Sequence, residues 1–211
     1  LAHGGFGGSV QIIGPDGEIK WRFDDLINET MLPHHDVELL PNGNILVMVW
    51  EELNQSDAAN LGIDCISDLA YESIYEVNVT SNNIVWKWRS IDHYIQDRHP
   101  DLPNFGNITS NAHRIDFNLN TDHPRLSTTG DIMHANGIDY DEENDLIYLS
   151  VNFYSEVWVI DHSTTIEQAS NHTGGNYGKG GDLVYRFGNS AAYQSNESII
   201  FTKNHFPNLI E

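Results

Sequence analysis

The sequence is almost free of cysteine and poor in basic residues. Cys65 is the single cysteine among 211 residues, which excludes an internal disulfide framework and any CxxC metal or redox motif. Only 10 Lys and Arg side chains stand against 31 Asp and Glu, so the formal net charge is -21 at pH 7. A field of this sign repels phosphate backbones and anionic membrane surfaces. We therefore expect no nucleic acid among the partners of this acidic protein.

Long apolar runs are also missing. No stretch approaches the roughly 20 residues with which a helix crosses a bilayer, and no basic and apolar leader follows Leu1. We expect neither a membrane span nor a retained signal peptide. The chain is 39% hydrophobic and 10% aromatic, which is enough for a buried core. The length predicts one domain, or part of one, over residues 1–211.

Acceptor sites for N-glycosylation are more frequent than chance predicts. An Asn-rich chain of this length should contain about two or three Asn-x-Ser/Thr sequons. Six are present: Asn28, Asn54, Asn78, Asn107, Asn171 and Asn196. Because such sites are used in secreted proteins, we expect a secreted protein, extracellular or periplasmic, with these six asparagines as candidate glycosylation sites.

A histidine precedes a hairpin pattern twice. In the first copy His34-His35-Asp36 leads into Val-Glu-Leu-Leu at 37–40, a Pro-Asn-Gly-Asn turn and an apolar run, 45–50. In the second copy His134 leads into residues 137–140, an acidic turn and residues 146–151. A repeated unit indicates repeat architecture. If the units surround one axis, their imidazoles would converge there and form a site.

A second hairpin pattern alternates with the first. Its three copies lie within 10–23, 74–89 and 157–187, and each ends on an aromatic, a basic and an aromatic residue. Alternation with a period of two places both aromatics on one face of a strand and the cation on the other. Units of four short strands are typical of β-propeller blades. We therefore predict an all-β protein that contains about two to three blades and is an internal piece of a longer propeller.

Three polar stretches exceed what blade connections need. We predict insertions near 51–70, 91–130 and 163–181. Weak helical patterns cover 57–69 and 90–96. The third insertion is rich in glycine but lacks the GxxxxGK[ST] spacing of a P-loop, so the sequence predicts no nucleotide cofactor.

The first histidine unit is similar to the signature of a known enzyme family. Residues 34–47, HHDVELLPNGNILV, resemble the "HHD…LLPNGNILV" signature of the arylsulfotransferases, cofactor-independent enzymes with a six-bladed propeller. Residues 131–162 resemble the second histidine motif of that family and the strand after it, and residues 181–189 resemble its closing strand. The resemblance implies that this chain covers roughly half of such a propeller.

The resemblance also implies catalytic roles for three histidines. His35 and His134 match the first and second family histidines, which would position the substrate and transfer protons. His205 falls where the family places its nucleophile, although the usual QHD reads Asn204-His205-Phe206 here. A neutral imidazole is a competent nucleophile near pH 7. In the family it carries a sulfuryl group from an aryl sulfate to a phenol, without a cofactor.

One position departs from the family pattern. The arginine found 18 residues after the second histidine is replaced by Asn152. Asparagine donates a neutral hydrogen bond but cannot make the charge-assisted, bidentate contact of a guanidinium. Losing one such group commonly costs about 2 to 4 kcal/mol of transition-state stabilisation. Lys203, two residues before His205, is a candidate substitute.

Two functional hypotheses remain open at this point. The first is a secreted arylsulfotransferase-like enzyme whose partners are a small aromatic sulfate and a phenol. The alternative is a non-catalytic extracellular propeller glycoprotein that associates with itself or with other extracellular proteins and keeps the histidines for structural reasons. A metal site built from His35, His134 and His205 would require all three to reach one axis. Nothing in their local spacing supports it, so the sequence predicts no metal.

Overall fold

Strands dominate the structure, a computed structural model that describes residues 7–124 and 126–210. The helices are short, so the predicted all-β class is confirmed. Closure into a propeller and the number of its blades stay predictions. None of the helices in these described ranges is long and apolar enough to cross a membrane.

The first half of the chain forms a hairpin and a four-stranded antiparallel sheet. The hairpin pairs β1 (Val10–Ile13) with β2 (Ile19–Phe23). The sheet follows in chain order, each strand beside the next. Its strands are β3 (Met31–Leu39), β4 (Ile45–Leu53), β5 (Leu69–Asn78) and β6 (Asn83–Arg89).

A second four-stranded sheet repeats this order after a small parallel pair. The pair is β7 (Tyr94–Ile95) with β8 (Ile115–Asp116). The second sheet again has consecutive strands as neighbours. Its strands are β9 (Ala135–Asp141), β10 (Leu146–Val151), β11 (Glu156–Asp161) and β12 (Tyr185–Phe187). Each sheet therefore combines one histidine-headed hairpin with the outer hairpin that follows it.

The two sheets share one hydrophobic core. Residues 45–50 of β4 and nearly all of β5 are buried, because neighbouring strands flank them and both faces of the sheet are covered. Met48 and Trp88 of the first sheet belong to the same buried cluster as Ile138 and Leu149 of the second. The two sheets meet along β3 and β9, where the Ile138 amide donates to Asp36 Oδ2 at 3.1 Å.

The three α-helices of the described ranges lie within the stretches predicted as insertions. They are α1 (Gln55–Asn60), α2 (Leu126–Thr129) and α3 (Ile166–Ala169), with single 3-10 turns at Ser90–His93, Thr109–Asn111, Phe117–Asn120 and Ser190–Tyr193. The two weak helical patterns, 57–69 and 90–96, yield less helix than they span. The pattern over 57–69 yields only α1, because Gly62 adopts a φ of +77° two residues after it. The pattern over 90–96 yields one 3-10 turn followed by β7.

Candidate active site

The two repeated histidines have the same unusual backbone conformation. His35 has a φ of +51° and His134 a φ of +50°, a region that costs a non-glycine residue roughly 1–2 kcal/mol. Both lie where strand register shifts: residues 34–36 stand opposite Met48 alone, and the register of β9 against β10 slips just after His134. Strained residues of this kind concentrate at functional sites.

His35 and His134 are in contact, and His134 has a fixed orientation. Their ring centroids are 4.8 Å apart with the rings nearly perpendicular. Asp131 Oδ2 lies 2.6 Å from His134 Nδ1, and Asp131 Oδ1 accepts the His134 backbone amide at 2.8 Å. Phe153 stacks on the imidazole at 5.0 Å. With Nδ1–H directed to a carboxylate, Nε2 is free to exchange a proton, the arrangement of an oriented catalytic base.

A cleft of about 430 Å³ places His134 and His205 in one space. Its lining consists of His123, His134, Asn152, Phe153, Ser155, Lys203 and His205. His205 is exposed, and its Nδ1 lies 3.3 Å from the Lys203 carbonyl oxygen. If Nδ1–H donates there, Nε2 keeps the lone pair of a nucleophile. His35 is not a lining residue and reaches the cleft through its contact with His134.

Asn152, at the position of the family arginine, is buried at this cleft. Its Nδ2 donates to the Asn204 carbonyl oxygen at 3.2 Å and lies 3.4 Å from His205 Nδ1. Its side chain is only 6% exposed. The amide therefore holds the segment that carries His205, and it remains a neutral donor within reach of a group bound to that histidine.

A buried layer lies behind His35. His34 Nδ1 is 2.8 Å from His35 Nδ1, and His34 Nε2 is 2.9 Å from Glu72 Oε2, close but not aligned as a full hydrogen bond. The His34 ring stacks on Trp50 at 3.9 Å. Burial lowers the pKa of His34 to about 3 and that of His35 to about 4, while burial raises the pKa of Glu72. Near neutral pH both imidazoles are therefore uncharged, and the same burial favours the protonated form of the Glu72 carboxyl.

Sequence reasoning missed several residues of this region. Asp131 had a signal, because a carboxylate three residues before a histidine can reach it. Glu72 also had one, since it is a charged residue inside the apolar run of β5. The Glu72 signal does not name its partners, because they depend on strand register. His123, which stacks on Phe153 at 4.0 Å, comes from the second insertion and had no pattern to reveal it.

The candidate glycosylation sites differ in accessibility. Five are exposed: Asn28, Asn54, Asn107, Asn171 and Asn196. Asn78 is half-buried, and its Nδ2, the nitrogen to which a glycan would attach, donates to Asn44 Oδ1 at 3.0 Å. Because Asn78 alone of the six is half-buried, it is the least suitable for modification.

Comparison with known proteins identifies the family. No curated protein matches the chain. The family model described as arylsulfotransferase (ASST) matches residues 11–172, which is more than half of the sequence. The matched range contains His35, His134 and Asn152, whereas Lys203 and His205 lie beyond it. The chain belongs to the arylsulfotransferase family.

Proposed function

We propose that this protein transfers a sulfuryl group from an aryl sulfate to a phenol at the cleft between His134 and His205. One observation carries the proposal. His134 and His205, 71 residues apart in the sequence, line the same cleft. His134 also contacts the Asp131 carboxylate, the kind of partner that orients an acid–base histidine. Membership of the arylsulfotransferase family supports this reaction class.

In the first half of the reaction His205 Nε2 attacks the sulfur atom of the aryl sulfate. An N–S bond forms while the bond between sulfur and the aryl oxygen breaks. The protonated His134 gives its proton to the departing phenolate, and Asp131 stabilises the imidazolium before this step. In the second half neutral His134 takes the proton of the acceptor phenol. The phenol oxygen then attacks sulfur, the N–S bond breaks and His205 is regenerated.

The site is weakest in the groups that would stabilise negative charge on the sulfuryl oxygens. Asn152 offers a neutral donor where the family has arginine, and the cationic residue Lys203 lines the same cleft. The backbone of Lys203 is held by a hydrogen bond from its amide to Ser155 Oγ at 3.1 Å. We propose that Lys203 replaces part of the lost stabilisation and that turnover is slow compared with that of an arginine-containing site.

The proposal extends to the setting of the reaction. We place the protein outside the cytoplasm, as the sequons suggest, with the five exposed asparagines as its glycan acceptors. We also propose that its two sheets are blades of a closed propeller whose axis passes by His35 and His134, because the sheets meet along the strands that follow these two histidines.

An assay of aryl sulfate turnover tests the proposal. Phenol release from 4-nitrophenyl sulfate should depend on a phenolic acceptor and should fall to background in His205→Ala. Asn152→Arg should accelerate turnover about tenfold or more, since it restores a charged donor. His99→Ala is the matched control, because His99 is an exposed histidine that pairs with Asp64. It should keep full activity.

Two results would contradict the proposal. Unchanged turnover in His205→Ala would remove His205 as the nucleophile. Absence of turnover in the wild type and in Asn152→Arg would favour the alternative, a non-catalytic extracellular glycoprotein.

A further inference from the structure

A second histidine cluster lies outside the cleft and shares no residue with it. His93 Nδ1 is 2.9 Å and His172 Nδ1 is 2.7 Å from the same atom, Asp182 Oδ1. These three ligand atoms all lie within 4.8 Å of one another. His93 ends the 3-10 turn after β6. His172 lies in the glycine-rich third insertion, and Asp182 directly follows it. The cluster therefore joins two insertions.

We propose that His93, His172 and Asp182 bind a divalent transition-metal ion such as zinc. Imidazole nitrogens and a carboxylate oxygen form a donor set that suits zinc and related ions. The formal net charge of -21 favours accumulation of cations at the protein surface. His113 Nε2, 3.6 Å from Asp182 Oδ2, is a nearby candidate for a fourth ligand position.

The hydrogen bonds of His93 allow either a proton or a metal ion between its Nδ1 and Asp182 Oδ1. Its Nε2 lies 2.8 Å from the Ala169 carbonyl oxygen, a pure acceptor, so Nε2 must carry a proton. In the neutral imidazole Nδ1 then presents a lone pair to the Asp182 carboxylate at 2.9 Å. Two acceptors this close require a proton or a metal ion between them. A ligating histidine commonly donates its other N–H to a backbone carbonyl in this way.

The surroundings hold the first ligand rigidly and leave the second open. His93 is fully buried and stacks parallel to Trp88, whose Nε1 donates to the Gly181 carbonyl oxygen at 2.7 Å. A Cβ atom on Gly181 would lie 2.1 Å from the Ala169 carbonyl oxygen and 2.4 Å from His93 Nε2. Only glycine fits there, which explains one glycine of the third insertion. The His172 side chain is 37% exposed, so an ion can enter from solvent.

Two cationic side chains lie near the cluster. Arg114 Nε is 3.6 Å from Asp182 Oδ2, the oxygen that does not contact His93 or His172. The Lys179 ammonium donates to the carbonyl oxygens of Leu183 and Val184. Both positive charges oppose the binding of a cation at this site.

Metal stoichiometry tests the proposal. The purified, tag-free protein is dialysed against zinc chloride and then against buffer, and bound zinc is measured by atomic spectroscopy. His172→Ala should bind about one zinc ion per chain less than the wild type. The control His99→Ala should bind as much as the wild type. His172 is chosen because its partial exposure lets the variant fold.

A second measurement identifies the ligands. Cobalt(II) should give the visible absorption of a site with nitrogen and oxygen ligands, and this absorption should disappear in His172→Ala and in Asp182→Asn, which keeps the shape of the aspartate. Zinc should raise the Tm of the wild type by a few degrees but not that of His172→Ala. Equal zinc content in the wild type and His172→Ala would overturn the proposal.

Discussion

Glu72 is a carboxyl group buried among neutral partners. Its Oε1 accepts Trp50 Nε1–H at 3.0 Å and the Ala135 amide at 2.9 Å, which ties β4 and β9 to β5. The side chain is almost fully buried, and burial raises its pKa. Its other oxygen, Oε2, lies 2.9 Å from His34 Nε2, and His34 is next to His35.

Substitution of Glu72 distinguishes a neutral carboxyl from an ionised one. Glu72→Gln keeps the acceptor oxygen and the volume, so we expect the free energy of unfolding to change by no more than about 1 kcal/mol. Glu72→Ala removes both of these hydrogen bonds and creates a cavity, so we expect a loss of about 2–5 kcal/mol. Urea denaturation measures both. A loss in Glu72→Gln as large as that in Glu72→Ala would show an ionised carboxylate.

At this scale the sequence reveals residue types but not partners. His35, His134 and His205 follow from their motif positions. The contact of Glu72 with Trp50 follows from the pairing of β4 with β5, in which the two residues stand opposite each other. No local pattern contains that register, because the strands are separated by an insertion with a helix of its own.

At the level of the element, a register shift accompanies each of the two repeated histidines. In β3 the shift contains His35, with its left-handed backbone. This turns the imidazole out of the regular alternation of the strand and towards His134. This backbone conformation is strained for histidine, whereas glycine adopts it without strain.

Two substitutions at His35 measure this strain. Both His35→Gly and His35→Ala remove the imidazole and its contact with His34, so those losses cancel in the comparison. Because φ is +51°, we expect His35→Gly to unfold with a free energy about 1 kcal/mol higher than His35→Ala. The check is urea denaturation of both variants. Equal or lower stability of the glycine variant would show that the backbone is not strained.

The predicted hairpins are all present, but one edge strand reverses its faces. In β6 the aromatic residues Trp86 and Trp88 are buried. In β12 Tyr185 and Phe187 are exposed, and Arg186 is buried with Glu156 of β11. A period of two predicts which residues share a face, whereas the partner available inside decides which face is buried.

At the scale of the whole molecule, His162 links the two sheets through its contacts with two carboxylates. Its Nε2 lies 3.0 Å from Glu76 Oε2 in β5, and its Nδ1 lies 2.7 Å from Asp145 Oδ1 in the turn between β9 and β10. Burial alone would lower the pKa of His162, but the hydrogen bonds to both carboxylates outweigh it and raise the pKa above 6.5. The imidazolium therefore bridges one carboxylate from each sheet.

This bridge predicts a pH dependence of stability. A raised pKa in the folded state means that the stabilisation is fully present below pH 6.5 and is lost as the pH rises through the folded-state pKa. We expect the stability difference between the wild type and His162→Gln to be larger at pH 6 than at pH 9. Chemical denaturation at both pH values measures it. A difference that grows with pH would contradict the bridge.

The arrangement of the whole molecule was the hardest part to predict. Sequence repeats indicated strands in the right order. They did not indicate that β4 extends to Leu53 and β5 starts at Leu69, or that the second and third insertions meet at Asp182. Contacts between segments about 80 residues apart depend on how the sheets pack, and periodicity carries no information about that.

The central claim is that His205 carries the sulfuryl group between the two substrates. The most direct measurement is mass spectrometry of the protein after incubation with an aryl sulfate and no acceptor. Residues 204–211 contain His205 and no serine, threonine or tyrosine, so an added SO₃ group there identifies the histidine. The account predicts this adduct in the wild type, its loss when a phenol is added and its absence in His205→Ala. Turnover without an adduct at His205, or an adduct on another residue, would contradict it.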